Sequence, residues 1–256
     1  MILLKQIKLG VVAILLVVLT GESAQAYVRG SSKWGGPRGT RVEITYSYSN
    51  LLDASFAPGI SATQKRLATE TALGMWARYA PLDFVEIPDF GGMPSASDSR
   101  YTAGPSHANL RIGHHYIDGN PDGPDTKAHA YLPTSVRSGI AGDVHFDDGD
   151  DFVLLTDALP KSDDPAFPFL VIMAHEIGHA LGLYHSDKTP GQQAVMDASV
   201  QLFFDDLATA DLKADDIAGI QAIYGQGVGS VRPIPEASSG LLLLLGGWGM
   251  LRRGVK

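Results

Sequence analysis

Alternation of apolar and polar positions sets the first clear element. Over Arg41–Ser49, Val42, Ile44, Tyr46 and Tyr48 fall on one side and Glu43, Thr45 and Ser47 on the other, the period-two pattern of a half-buried strand. The period then lengthens. Behind Ser61, a natural N-cap, Leu67, Thr71, Leu73, Met75, Trp76 and Tyr79 make a helical stripe that Pro81 ends. Leu82–Ile87 predicts a second strand, Ala108–Gly113 a third, and Lys127–Leu132 and Asp143–Phe146 two short ones. Phe90–Ser106, rich in Gly, Ser and Pro, predicts a loop. Pro168–Leu181, apolar from Pro168 to Ala174, predicts a further helix. Ala210–Tyr224, with Leu212, Ile217, Ile220 and Ile223 on one side, predicts the last helix. The order strand, helix, several strands, helix, loop, helix is α+β, with helices packed on one mixed sheet and no internal repeat.

The two ends follow other patterns. Lys5 and Lys8 precede an apolar run from Leu9 to Leu19, and Ala24-Gln25-Ala26 supplies a small-x-small cleavage site. Residues 1–26 therefore predict a secretory signal peptide, too short in its apolar run for a comfortable membrane span, to be removed by signal peptidase. A globular domain is expected over 27–225 and a Gly/Pro/Ser-rich linker over 226–239. Residues 240–256 form a short apolar segment with a basic tail, Arg252, Arg253 and Lys256. The succession of Pro235-Glu236, small polar residues, apolar stretch and basic end resembles the PEP-CTERM sorting signal of Gram-negative bacteria, with Ala237 where a second proline is usual. That resemblance implies transient retention at the inner membrane, processing by an exosortase, and a secreted or cell-surface destination. A plain C-terminal anchor is the alternative.

Composition narrows the chemistry. The net charge of -8 argues against nucleic acid as a partner. The acids concentrate in Asp143–Asp151 and Asp205–Asp216, a distribution suited to bound cations. No cysteine is present, which excludes a disulfide framework, a thiol nucleophile and a thiolate-ligated metal. Histidine and carboxylate must carry any metal site.

They meet in His175-Glu176-Ile177-Gly178-His179-Ala180-Leu181-Gly182-Leu183-Tyr184-His185. On a helix, His175 and His179 project from one face and can reach one ion, with Glu176 beside it. Gly182 can take the left-handed conformation that ends a helix and swings His185 back as a third ligand. Three neutral imidazoles with an open fourth position describe a catalytic zinc site, since a structural one would be closed. Such a zinc lowers the pKa of its water and polarises a carbonyl, and Glu176 is placed to act as general base and then acid.

The full His-Glu-x-x-His-x-x-Gly-x-x-His pattern resembles that of the metzincin metallopeptidases. Within that clan the chain is most similar to the matrixins, over about Thr40 to Gly225. Ala194-Val195-Met196-Asp197 resembles the Met-turn, which implies Met196 as an apolar floor under the zinc. Gly142–Asp147 resembles a matrixin metal-binding stretch, and Asp215–Gly225 the last helix, whose paired acids tie it to the active site. The resemblance implies a twisted, mixed five-stranded sheet with three helices and a Met-turn. It also implies a structural zinc, with His129 and His145 as ligands and His115 and Asp118 completing the set; His114 or another acid is the alternative. Calcium ligands are expected at Asp147 and Asp150, and at an Asp-Gly pair, either Asp118-Gly119 or Asp122-Gly123. An extended protein or peptide substrate is expected along the edge strand Lys127–Pro133. The expectation is a monomeric, secreted zinc endopeptidase, not kept latent by a cysteine. The alternative function is a surface-displayed matrix or binding protein with little catalysis, and the alternative family another metzincin branch.

Overall fold

The computed structural model describes residues 26–89, 107–118, 126–133, 139–154, 167–187, 193–198, 204 and 206–235. Nearly all of the expected signal peptide, the whole expected sorting segment and Asp122 lie outside them. The elements are β1 (Val42–Tyr48), α1 (Ala62–Ala77), β2 (Leu82–Glu86), β3 (Leu110–His115), β4 (Ala128–Ala130), β5 (Val144–Asp147), β6 (Phe152–Val153), β7 (Phe167–Pro168), α2 (Phe169–Ala180), α3 (Ala214–Tyr224) and β8 (Ser230–Arg232).

The main sheet has the order β4-β5-β3-β1-β2-β8. β4 runs antiparallel to β5 and every other pairing is parallel. Alternation explains the sidedness. Val42, Ile44 and Tyr46 of β1 are buried while Glu43 is exposed. With Leu82, Phe84, Leu110, Ile112, Val144 and Phe146 they build one core against α1 and α2. The Ser61 hydroxyl accepts from Gln64 N–H at 3.3 Å and the Gln64 side chain accepts from Ser61 N–H at 3.0 Å, a reciprocal cap that starts α1. Trp76, fully buried, joins the two helices by donating from Nε1 to the Ala174 carbonyl at 3.0 Å.

α2 is apolar on all sides through Phe169–Ala174, and every one of those residues is buried. A helix of that kind belongs in a core, and it carries the polar residues that follow into the core with it. α3 starts at Ala214, later than the periodicity of Ala210–Tyr224 predicts. Asp216 accepts from the Lys213 amide at 3.0 Å and so fixes the N-terminus there.

The sheet has six strands, one more than expected. The stretch predicted as linker supplies the sixth: β8 pairs in parallel with β2, Val231 opposite Phe84. Gly229 N–H bonds the Ala77 carbonyl at 2.7 Å, and Ser230 Oγ bonds Asp83 at 2.8 Å. The domain thus runs past Gly225, because three residues suffice to extend an open parallel edge. β6 and β7 form a separate two-residue parallel ladder.

Gly178 lies in the motif helix where α2 meets the Met196 side chain. A methyl group there would run into Met196 Sδ and come within 2.8 Å of Trp76 Cζ2. Gly178→Ala is expected to destabilise the domain by about 1–3 kcal/mol through overpacking, despite a gain of about 1 kcal/mol in helix propensity. The readout is a lower denaturant midpoint at unchanged slope; a higher midpoint would refute the close packing.

Candidate metal centres and the cleft between them

One turn of α2 separates His175 from His179. His175 Nδ1 donates to the Val195 carbonyl at 2.7 Å, and His179 Nδ1 donates to the Leu183 carbonyl at 2.7 Å. A carbonyl can only accept, so each Nδ1 carries the proton and each Nε2 is a bare lone pair. The two Nε2 atoms stand 3.1 Å apart. Two lone pairs at that distance repel unless a cation lies between them. Burial, and then mutual repulsion in the case of His175, lower these imidazoles to about 3 for His175 and about 4 for His179. Neutral rings with lone pairs converging are what zinc requires.

His185 reaches them through a helix stop. Gly182 sits at φ +104; its N–H bonds the His179 carbonyl at 2.8 Å, and Leu183 N–H bonds the Gly178 carbonyl at 3.0 Å. This is the paired bonding of a Schellman turn. It places the His185 ring 5.1 Å from that of His175 and 4.8 Å from that of His179, centre to centre. One nitrogen from each ring lies within 4.8 Å of the others.

The loop carrying His185 is held on both sides. Gly30 N–H bonds the Gly182 carbonyl, Tyr184 N–H the Val28 carbonyl and Asp187 N–H the Ala26 carbonyl, at 2.7–2.8 Å. Across the loop, Ser186 N–H bonds the Met196 carbonyl at 2.8 Å. The turn at 194–197 is fixed in its own right: Asp216 accepts from Val195 N–H at 2.8 Å and from Met196 N–H at 3.0 Å. Asp215 accepts from Tyr27 N–H at 2.9 Å and from Ser186 Oγ at 2.7 Å. Met196 is buried beneath α2.

Glu176 is buried, and burial pushes its carboxyl up to about 8. It lines a cleft of about 290 Å³ with His179, Tyr184 and His185, faced by Ala128, His129 and Leu132. Its Oε2 has no hydrogen-bond partner among the described residues.

A second histidine group forms where β3, β4 and β5 lie side by side. His129 pairs in register with His145, and Gly113, two residues before His115, is also opposite His145. His115, His129 and His145 each offer a nitrogen within 4.8 Å of the others, and His115 Nε2 is 3.3 Å from His145 Nδ1. Burial first, then neighbouring charge, lowers His129 to about 4 and His145 to about 3.

The other described candidates are not members of either histidine group. His114 is stacked on Phe56 at 4.7 Å, with Nδ1 3.2 Å from an Asp148 oxygen. Asp118 accepts from Thr126 N–H at 3.2 Å. Asp147 accepts from the amides of Ile117, Asp118 and Gly149 at 2.8–3.0 Å, which shapes the loop after His115. Asp150 pairs with Lys127 at 2.6 Å. Among the described residues only the two histidine groups converge.

Sequence reasoning did not single out Asp143. It is buried, its carboxyl is pushed up to about 7 chiefly by that burial, and one oxygen lies 3.8 Å from His145 Nε2. Its place directly before the strand bearing His145 was the available signal.

The family model described as Matrixin matches residues 38–225. Stromelysin-1 of Mus musculus is 32% identical over 210 residues, covering 81% of this chain and 37% of that protein. Matrix metalloproteinase-C of Caenorhabditis elegans is 32% identical over 216 residues, covering 81% and 32%. Neutrophil collagenase of Homo sapiens is 30% identical over 204 residues, covering 78% and 36%. This chain spans about a third of the length of these relatives.

The shifted groups make the metal-free protein acid-sensitive. His129, His145, His175 and His179 titrate in the fold at about 3–4, below the ordinary 6.5. Their contribution is present above 6.5 and is lost as pH falls toward 4, because the unfolded chain takes up protons that the fold refuses. Glu176 and Asp143 act oppositely: raised in the fold, they favour it below their ordinary values and lose that contribution as pH rises through about 7–8. The thermal midpoint in chelator is therefore expected to be highest near pH 6.5 and to fall toward pH 4. A flat profile over that range would contradict the neutral, buried clusters.

Proposed function

This chain belongs to the matrixin family of zinc metalloendopeptidases in the metzincin clan, and from that premise we propose that it is a secreted endopeptidase acting on extended protein substrates. In this reading His175, His179 and His185 hold the catalytic zinc and Glu176 is the general base. The observation that carries it is the pair of unprotonated Nε2 atoms 3.1 Å apart on His175 and His179, the second of which lines the cleft with Glu176.

Zinc bound there supplies a Lewis acid that activates water near neutral pH and polarises the scissile carbonyl. The chain's own residues do the rest. Burial keeps the Glu176 carboxyl protonated near neutrality without metal, and a divalent cation held by the three histidines would favour its carboxylate form. That carboxylate accepts the proton of the attacking water and passes it to the leaving amine. β4 is the edge strand of the sheet, and Ala128, Ala130 and Leu132 line the same cleft. An extended peptide can pair with such an edge by backbone hydrogen bonds, which positions its carbonyl without a dedicated side chain.

The same reading gives His115, His129 and His145 a structural zinc that ties β4 to β3 and β5. Asp118 joins them by giving up its bond from Thr126. Asp122, Asp147 and Asp150 are the proposed calcium ligands, one before β4 in the chain and two at the end of β5 and in the turn that follows it. Cleavage after Ala26 and sorting through the C-terminal segment, with exosortase processing, are proposed from the order of those segments. No helix among the described residues is long and apolar enough to cross a membrane.

Two experiments separate this from a binding protein of the same fold. Glu176→Gln is expected to lower chelator-sensitive peptide hydrolysis by about 10²–10⁴ while bound zinc stays at the wild-type level. Wild-type turnover in that variant would remove Glu176 as the base. In calorimetric zinc titrations at pH 7, run in buffers of different ionisation enthalpy, the wild type is expected to release about one proton more than Glu176→Gln. Equal release would mean that Glu176 is already ionised in the metal-free protein.

A further inference from the structure

Behind the His185 loop lies a second cavity, of about 510 Å³, that shares no lining residue with the cleft. Arg29, Lys33 and Arg38 line it with Gly30, Ser31 and Ser32, over the last turn of α3. Its charge is unusual for this chain, which carries a net -8. Among the other described cations most pair with an acid: Arg41 with Asp83, Arg66 with Glu86, Arg78 with Asp211, Arg111 with Asp89, Lys127 with Asp150 and Arg232 with Glu43, at 2.6–2.9 Å. Lys65 is spent on the Asp53 and Phe56 carbonyls, and Lys213 lies over the Phe204 ring.

The three lining cations bond only to neutral groups. Lys33 Nζ donates to the carbonyls of Trp34 and Gly36 and stands 5.4 Å from the centre of the Tyr224 ring. Arg38 Nε donates to the Gln221 carbonyl at 3.0 Å, which leaves its terminal nitrogens for another partner. Arg29 is held by its backbone, bridged to Leu183, and its side chain is exposed. Carbonyl bonds aim these side chains without neutralising them. Positive charge is thus collected in one concavity and left without an acid from the described fold.

The lining also restricts the occupant. A volume of about 510 Å³ is that of a ligand pocket and far exceeds a lone inorganic anion. Among the described residues no aromatic side chain lines it, so it offers no stacking platform for a nucleic acid. Ala222 and Ile223 are its only apolar side chains, too little for the anchors that dominate a peptide interface. Guanidinium forks that match carboxylate and sulfate, together with serine hydroxyls and exposed backbone, suit a hydroxyl-rich acidic ligand. We propose that this trough binds a segment of an acidic polysaccharide, with Arg29 and Arg38 taking its carboxylate or sulfate groups and Ser31 and Ser32 its hydroxyls. The inference does not depend on the peptidase reading.

The test uses the secreted-form chain and calorimetric titration with oligogalacturonate, neutral dextran of similar length, inorganic sulfate and polyglutamate. Saturable, salt-sensitive binding of oligogalacturonate, with none of dextran, is expected. The Arg29→Ser/Arg38→Ser variant should lose about tenfold or more in affinity, with thermal unfolding as in the wild type. Arg29→Lys/Arg38→Lys should recover part of it, since charge returns without the fork. Absence of binding, or equal binding by the serine variant, overturns the site. Inorganic sulfate binding as tightly reduces it to an adventitious ion only, and polyglutamate binding more tightly makes the occupant an acidic protein.

Discussion

Two hydrogen bonds, His175 Nδ1 to the Val195 carbonyl and His179 Nδ1 to the Leu183 carbonyl, decide which nitrogen of each ring carries a proton, and much of the fold keeps those two carbonyls in place. Leu183 belongs to the turn that Gly182 makes possible. Val195 belongs to a turn whose amides are tied to Asp216 of α3. The neighbouring Asp215 reaches the other way, to Tyr27 and Ser186. Two adjacent carboxylates at one helix start thus brace both walls of the site. The helix end itself favours negative charge there, while burial, with the charge of Asp215 adding to it, raises the Asp216 carboxyl above its ordinary value.

The same logic of buried neutrality applies to the second histidine group, built on three strands instead of one helix. Strand pairing brings together residues that lie far apart in the chain, and register alone decides which side chains meet. His114 and His115 are neighbours, yet the pleat sends one against Phe56 and the other toward His129 and His145. Both groups border the cleft region, one through His179 and His185 and the other through His129. The edge strand that completes the cleft is therefore tied to the same chemistry as its floor.

The motif helix and its histidines were legible in the sequence because spacing along a helix reports a face directly. β1 and α1 were legible because alternation and a capping serine are local signals. What escaped notice depends on atoms with no residue signature. The Val195 and Leu183 carbonyls, and the amides held by Asp216, are backbone groups that any residue would supply. Gly178 is an unspecified position of the motif, and its close approach to Met196 is visible only once α2 lies on the turn. β8 has a single apolar residue facing the sheet, too short a stretch for alternation to register. The aspartates of 118–150 read as a cation-binding run, and their partners depend on how the loops close.

β8 has a consequence for geometry at larger scale. It occupies the edge of the sheet opposite β4, about 24 Å away at the usual spacing between strands. The described chain therefore ends, at Pro235, past the sheet edge opposite the strand that lines the cleft, so the two edges of one sheet carry separate tasks: β4 faces the cleft and β8 closes the far flank.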